Sequence, residues 1–299
     1  MMTKKMRMNL NGLLTVVVAG MAVLAPLPVA AQQAFPTADA AAAALVDAIA
    51  RQDEAAKRQV LGHDWRKFIP TESITNMDVD AFLKGWATSH KIVVDPAHTA
   101  HLAVGKQEWV LPIPMVEKQG AWRFDTRAAA DEIRTRRIGG NELATMQAAL
   151  AYYDAQKEYA REDRNGDGVL EYAQKIISTP GKQDGLYWAA LEGEAASPLG
   201  PQFGEAKPGH GYHGYYYRIL TAQGSKAPGG AYDYRIKNRL VAGFALVAWP
   251  VKYGDSGVMS FIVSHDGVVY EKNLGPKTNS TARAMKQFNP DSGWKKVKP

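Results

Sequence analysis

A chain of 299 residues with 46% apolar side chains can bury a sizeable core, and its length suggests two modest domains. The 22% of charged residues and thirteen tyrosines exclude a disordered chain. Half of the formal charge of +6 sits at the start: without Lys4, Lys5 and Arg7 the 36 basic side chains become 33 against 30 acidic, near +3, and no basic cluster interleaved with aromatics argues for nucleic acid.

Residues 1–31 read as a secretory leader. A basic start precedes the apolar run "LLTVVVAGMAVLAPLPV", and Val29 and Ala31 supply the small residues of a cleavage site after Ala31. Pro26 and Pro28 end the run early, which argues against a retained membrane anchor. With no cysteine, there is no lipoprotein anchor, disulfide or thiolate chemistry. The expectation is a periplasmic or secreted protein without a stable membrane span after processing.

Next comes a helix pair, "FPTADAAAAALVDAIARQDEAAKRQVLG", with Thr37 and Asp53 as caps, Leu45, Val46 and Ile49 on one face, and a stop at Gly62. "DVDAFLKGWATSH" predicts a third helix. "HTAHLAV", "EWVLPIPMV" and "AWRFD" then predict strands, the last hairpin turning at Gln119-Gly120. Helices followed by an antiparallel meander predict an α+β domain over 35–135, cystatin-like or transport-factor-like by analogy of fold alone.

"RTRRIGG" predicts a boundary. A second α+β domain over 139–299 opens with an amphipathic helix from Asn141 to about Arg161, with Leu143, Met146, Leu150 and Tyr153 at helical spacing. A Gly/Pro-rich connection, "SPLGPQFGEAKPGHG", leads into the strands "YHGYYYRILTA", "AYDYRI", "LVAGFALVAWPV", "GVMSFIVS" and "GVVYEKN", with "HDG" as a hairpin turn. On the first of these Tyr215 and Tyr217 share one face, Tyr216 and Arg218 the other, so one tyrosine row fills a core.

Between the helix and that connection lies "REDRNGDGVLEYAQK". Calcium takes several oxygen ligands, and the helix–loop–helix motif supplies them at positions 1, 3, 5, 7, 9 and 12 around a glycine at 6. Here these are Asp163, Asn165, Asp167, the Val169 carbonyl, Glu171 and Gln174, with Gly168 at the bend. Leu170 is the apolar residue such loops pack inward, and "EYAQKII" can start the second helix. Gln174 departs from the motif, offering one neutral oxygen where a bidentate glutamate belongs. Magnesium, with its smaller octahedral shell, fits less well. The alternative is a hydrated Asn-Gly and Asp-Gly turn.

Other chemistry has thinner support. His210 and His213 lack the third ligand of a zinc site, no Gly-x-Ser-x-Gly elbow is present, and "KAPGGAYDY" lacks a phosphate loop's ending. A hydrolase would pair Asp184 with His213, and a small-molecule or glycan binder would use Trp109 and Trp122 on the first sheet.

"AYYDAQKEYAREDRNGDGVLEYAQKIISTPGKQDGLYW", "SPLGP", "GYHGYYYRILTAQG", "APGG" and "GFALVAWPVKYGDSGVMSFIVSHDGVVYEKNLG" resemble a bacterial family catalogued as domain of unknown function 2950, from about Phe35 to the C-terminus. The resemblance implies an exported envelope protein and brings no catalytic residues. The later half also looks like the globular head of pilin and pseudopilin proteins, some of which hold calcium in a loop. It departs from them at its start, where a leader and an intervening domain replace the continuous membrane helix. These readings together lead to a non-enzymatic, calcium-stabilised envelope protein that binds another envelope protein or a glycan.

Overall fold

The computed structural model describes residues 32–71, 74–190, 193, 195–200 and 211–298. The leader, His210 and most of the Gly/Pro-rich connection fall outside them. The fold is α+β, built from antiparallel sheets and five α-helices among the described residues.

Helix α1 (Ala38–Ala50) is capped by Thr37, whose hydroxyl accepts from the Ala40 N–H; α2 (Glu54–Leu61) is capped by Asp53 and ends at Gly62, which has φ +95°. Helix α3 (Asn76–Thr88) starts with a reciprocal Thr75–Asp78 capping box. It stops two residues before the expected end, because Ser89 is already extended and leads into an unanticipated strand, β1 (His90–Val94). Strand β2 (Thr99–Val104) follows. The run read as one strand splits into β3 (Trp109–Val110) and β4 (Met115–Lys118), since Pro112 and Pro114 have no N–H to give a ladder. Gln119 and Gly120, both at positive φ, turn β4 into β5 (Ala121–Phe124). The sheet order is β1-β2-β4-β5, with β3 also on β2. Leu45, Leu102, Met115 and Phe124 are buried in the core between this sheet and the helices.

Helix α4 (Thr126–Tyr159) runs 34 residues, straight through "RTRRIGG". The Asp125 carboxylate caps it, accepting from Arg127 and Ala128 N–H. Arg134–Asp131 and Arg136–Glu132 pairs brace the stretch read as a boundary from one helical turn away. Gly139 and Gly140 each cost about 1 kcal/mol relative to alanine. Docking on either side of them offsets this: Glu142 Oε1 accepts from Val258 and Met259 N–H at 2.8 and 2.9 Å, Asn141 donates to the Ser256 carbonyl, and Arg137 pairs with Asp255. Ala129 near the helix start belongs to the first core, whereas Ala149, Tyr152, Ala155 and Tyr159 belong to a second.

The second sheet is β14-β13-β12-β11-β6. In chain order its strands are β6 (Tyr215–Leu220), β11 (Ala245–Pro250), β12 (Met259–Ser264), β13 (Val269–Asn273) and β14 (Lys295–Val297). Short ribbons β7 (Ala222–Gln223) with β8 (Tyr232–Asp233), and β9 (Arg235–Ile236) with β10 (Arg239–Leu240), lie between β6 and β11 in sequence. Helix α5 (Thr278–Ala284), absent from the expected elements, precedes β14. Strand β11 is buried throughout, as befits a central strand covered on both faces. Helix α4 covers one face, where Tyr215, Leu246, Phe261 and Val263 cluster; Val247, Trp249, Ile262 and Ala282 of α5 cluster on the other. Tyr215 and Tyr217 point to the α4 side, and Tyr216 packs on the opposite side, as the alternation predicts.

The buried stripe of α4 differs from the expected one. Leu143 is exposed, and Met146, Leu150 and Tyr153 are only partly covered; Thr145, Ala148, Ala149, Tyr152, Ala155, Gln156 and Tyr159 are buried. Gln156, fully buried, clamps the next segment: its Nε2 donates to the Ala173 carbonyl and its Oε1 accepts from the Ala173 N–H, both at 2.8 Å, and Nε2 also donates to the Tyr152 hydroxyl at 3.0 Å. Replacing the amide leaves two backbone groups buried and unmet. Gln156→Leu is expected to lower stability by about 3 kcal/mol, read as a fall in the urea midpoint at unchanged slope.

Candidate metal centre

The acidic loop opens where α4 stops. Arg164 anchors it: the guanidinium lies over the Tyr159 and Trp188 rings at 5.0 and 5.1 Å, Nε donates to the Tyr159 carbonyl, and Nη1 meets Glu162 at 3.2 Å. Gly166 and Gly168 have φ of +73° and +83°, which allows two reversals within three residues.

The side chains fold back onto this turn. Asp163 Oδ1 accepts from Gly166 N–H at 2.8 Å and from Asp167 N–H at 3.3 Å, and Oδ2 accepts from Gly168 N–H at 2.7 Å. These bonds, led by that of Gly168, hold its pKa below the ordinary carboxylate value. Asn165 Oδ1 accepts from Asp167 N–H, while its Nδ2 donates to Glu171 Oε1 at 2.9 Å, so positions 3 and 9 of the pattern meet. Asp167 Oδ1 accepts from Val169 N–H, and its other oxygen is ion-paired with Arg239 of β10. Burial pushes the Glu171 pKa up, with the Asp167 and Asp163 charges adding to it and Arg239 opposing.

Asp163, Asn165, Asp167 and Glu171 thus form one hydrogen-bonded oxygen-rich network, chemically the donor type that suits calcium. The oxygens face backbone N–H groups and Arg239, and among the described residues no three His, Cys, Asp or Glu side chains form a metal-holding group. Asp163 already uses three of roughly four lone-pair positions.

The second half of the pattern departs from the helix–loop–helix expectation. "EYAQKII" is extended, not helical: Tyr172 N–H donates to the Leu240 carbonyl at 2.7 Å, and Ile177 bridges Tyr187. Sheet-like contacts and the Gln156 clamp at Ala173 outcompete helix formation here. Leu170, expected to pack inward, is 56% exposed. Gln174 donates its Nε2 to the Asn238 carbonyl at 2.8 Å, on the β9–β10 turn. Arg239, 72 positions from Asp167, and Gln156 are the site residues that reading the loop alone misses; no local spacing signals either.

The other candidates lie apart. Asp184 is committed to Lys175 Nζ at 2.7 Å and to the Thr179 N–H and hydroxyl, while His213 is exposed beside the Tyr212 ring. No hydrogen bond or ion pair joins Asp184 to His213 among the described residues. Trp122 packs against the first core, whereas Trp109 is half exposed against Phe82.

Lys175 and Thr179 hold the Asp184 pKa well below its ordinary value of 3.8. A depressed folded-state pKa gives stability that is present above the unfolded value and lost as pH falls through the folded one. The melting-temperature gap between the wild type and Asp184→Asn should therefore be constant above about pH 5 and shrink below pH 3.8.

Neither the curated proteins nor the solved structures contain a match to the chain. One family model, described as "Protein of unknown function (DUF2950)", matches residues 32–297. The chain belongs to that family.

Proposed function

We propose that this is an exported, non-enzymatic envelope protein whose later half is stabilised by calcium at the 163–174 loop, and which acts by binding another envelope component. The carrying observation is the network in which Asp163, Asn165, Asp167 and Glu171 share hydrogen bonds across nine residues of one turn. In this reading the ion takes its oxygens from these four side chains, the Val169 carbonyl and Gln174. Arg239 is the resident counter-charge on Asp167, so the ion displaces a guanidinium as it binds.

Export rests on the leader pattern of residues 1–31. Among the described residues, no helix is long and apolar enough to cross a membrane. The likeness to pilin heads bears on architecture only: one long helix across an antiparallel sheet.

The test is a melting series on metal-stripped full chain. At tenfold excess over its dissociation constant, calcium contributes about 1.4 kcal/mol, a rise of roughly 3–5 °C for a chain of this size. Asp163→Ala and Asp167→Ala should abolish the rise, and magnesium should give less of it. An undiminished response in both variants would remove these ligands from the proposal, and no calorimetric heat at millimolar calcium would remove the site.

A further inference from the structure

On the face of the second sheet opposite α4, an open groove of about 430 Å³ lies between Arg218–Ala222, at the end of β6 and start of β7, and Met285–Gln287 after α5. Arg218, Arg235, Lys286 and Asp233 supply its charged lining. Asp233 does not neutralise the others, because both its oxygens are taken by Arg235, through the backbone N–H, Nε and Nη2 at 2.8, 3.1 and 3.0 Å.

Arg218 is the unusual member. It sits opposite Val247 in the ladder, where the neighbouring side chains are core residues. Its Nη2 donates to the Ala282 carbonyl at 2.8 Å and to the Met285 carbonyl, which accounts for one corner of the guanidinium as a cap on the end of α5. Its Nε is buried without a partner, and no carboxylate pairs with it among the described residues. Burial and the nearby Arg283 charge both press its pKa down from the ordinary arginine value. A partly desolvated cation beside a second one, Arg283, is unfavourable until an anion joins it. An arginine N–H gives a carboxylate or phosphate oxygen a charge-assisted hydrogen bond.

We propose that this groove binds a small molecule through a carboxylate or phosphate group, seated by Arg218 and Lys286, with Ile219 and Met285 flanking its apolar part. The site is separate from the acidic loop and does not depend on the calcium reading.

The experiment titrates the full chain with inorganic phosphate and, separately, with succinate, chloride holding the ionic strength constant. Saturable binding by calorimetry is expected for at least one probe; phosphate alone points to a phosphate ester, succinate alone to a carboxylate. Lys286→Glu, at an exposed position, should weaken that binding at least tenfold without lowering the melting temperature of the unliganded chain. Arg218→Lys, which keeps the charge but loses the guanidinium held in place by the Ala282 and Met285 carbonyls, should weaken it too. Asp163→Ala should leave it unchanged. Absence of saturable binding with both probes, or equal affinity in Lys286→Glu, overturns the proposal.

Discussion

The later half of the molecule depends on one side-chain amide. Gln156 presents a donor and an acceptor to the N–H and C=O of Ala173, closing a loop of sixteen intervening residues against the helix that precedes it. An amide is the side chain suited to this, because it reproduces the pairing a neighbouring strand would offer. Everything between the two ends, including Asp163, Asn165, Asp167 and Glu171, is confined by that closure. The loop's conformational entropy is thus offset from outside the loop, and its carboxylates are free to be spent on geometry.

Helix α4 carries the constraint further, because it serves two cores. Its alanines at 149 and 155 pack in the core with residues of β11 and β12, and the Tyr152 hydroxyl donates to the Ala245 carbonyl at 3.2 Å. A leucine-rich stripe would hold the helix further off and leave Gln156 short of Ala173. This explains why the larger apolar residues of the same helix lie at the margin of the contact.

The sequence shows this architecture unevenly. Caps at Thr37 and Asp53, the Gln119-Gly120 turn and the β12–β13 hairpin are local devices, each legible from two or three neighbouring residues. The Asp163–Gly168 turn is legible for the same reason. The start of α4 is hidden because the arginines of "RTRRIGG" show their helical role only when matched with Asp131 and Glu132 one turn earlier. The buried stripe of α4 misleads because hydropathy ranks Leu143 above Ala149, while the smaller residue is the one in the core with the sheet. Gln156 and Arg239 act on positions 17 and 72 residues away, and no periodicity carries such pairings.

The β9–β10 ribbon draws these long-range contacts together. Lys237 and Asn238 both take positive φ, the two-residue turn that suits strand twist, although neither is glycine. Three contacts from the acidic-loop side fix it: Gln174 to the Asn238 carbonyl, Asp167 to Arg239, and Tyr172 to Leu240. Arg235, opposite Leu240 in the ribbon, meanwhile occupies Asp233 at the basic groove. One short ribbon therefore supplies a cation to an acidic network and removes an anion's influence from a basic one. Arg235 and Arg239 lie on adjacent pairs of the same ribbon, and shifting its register would disturb both together.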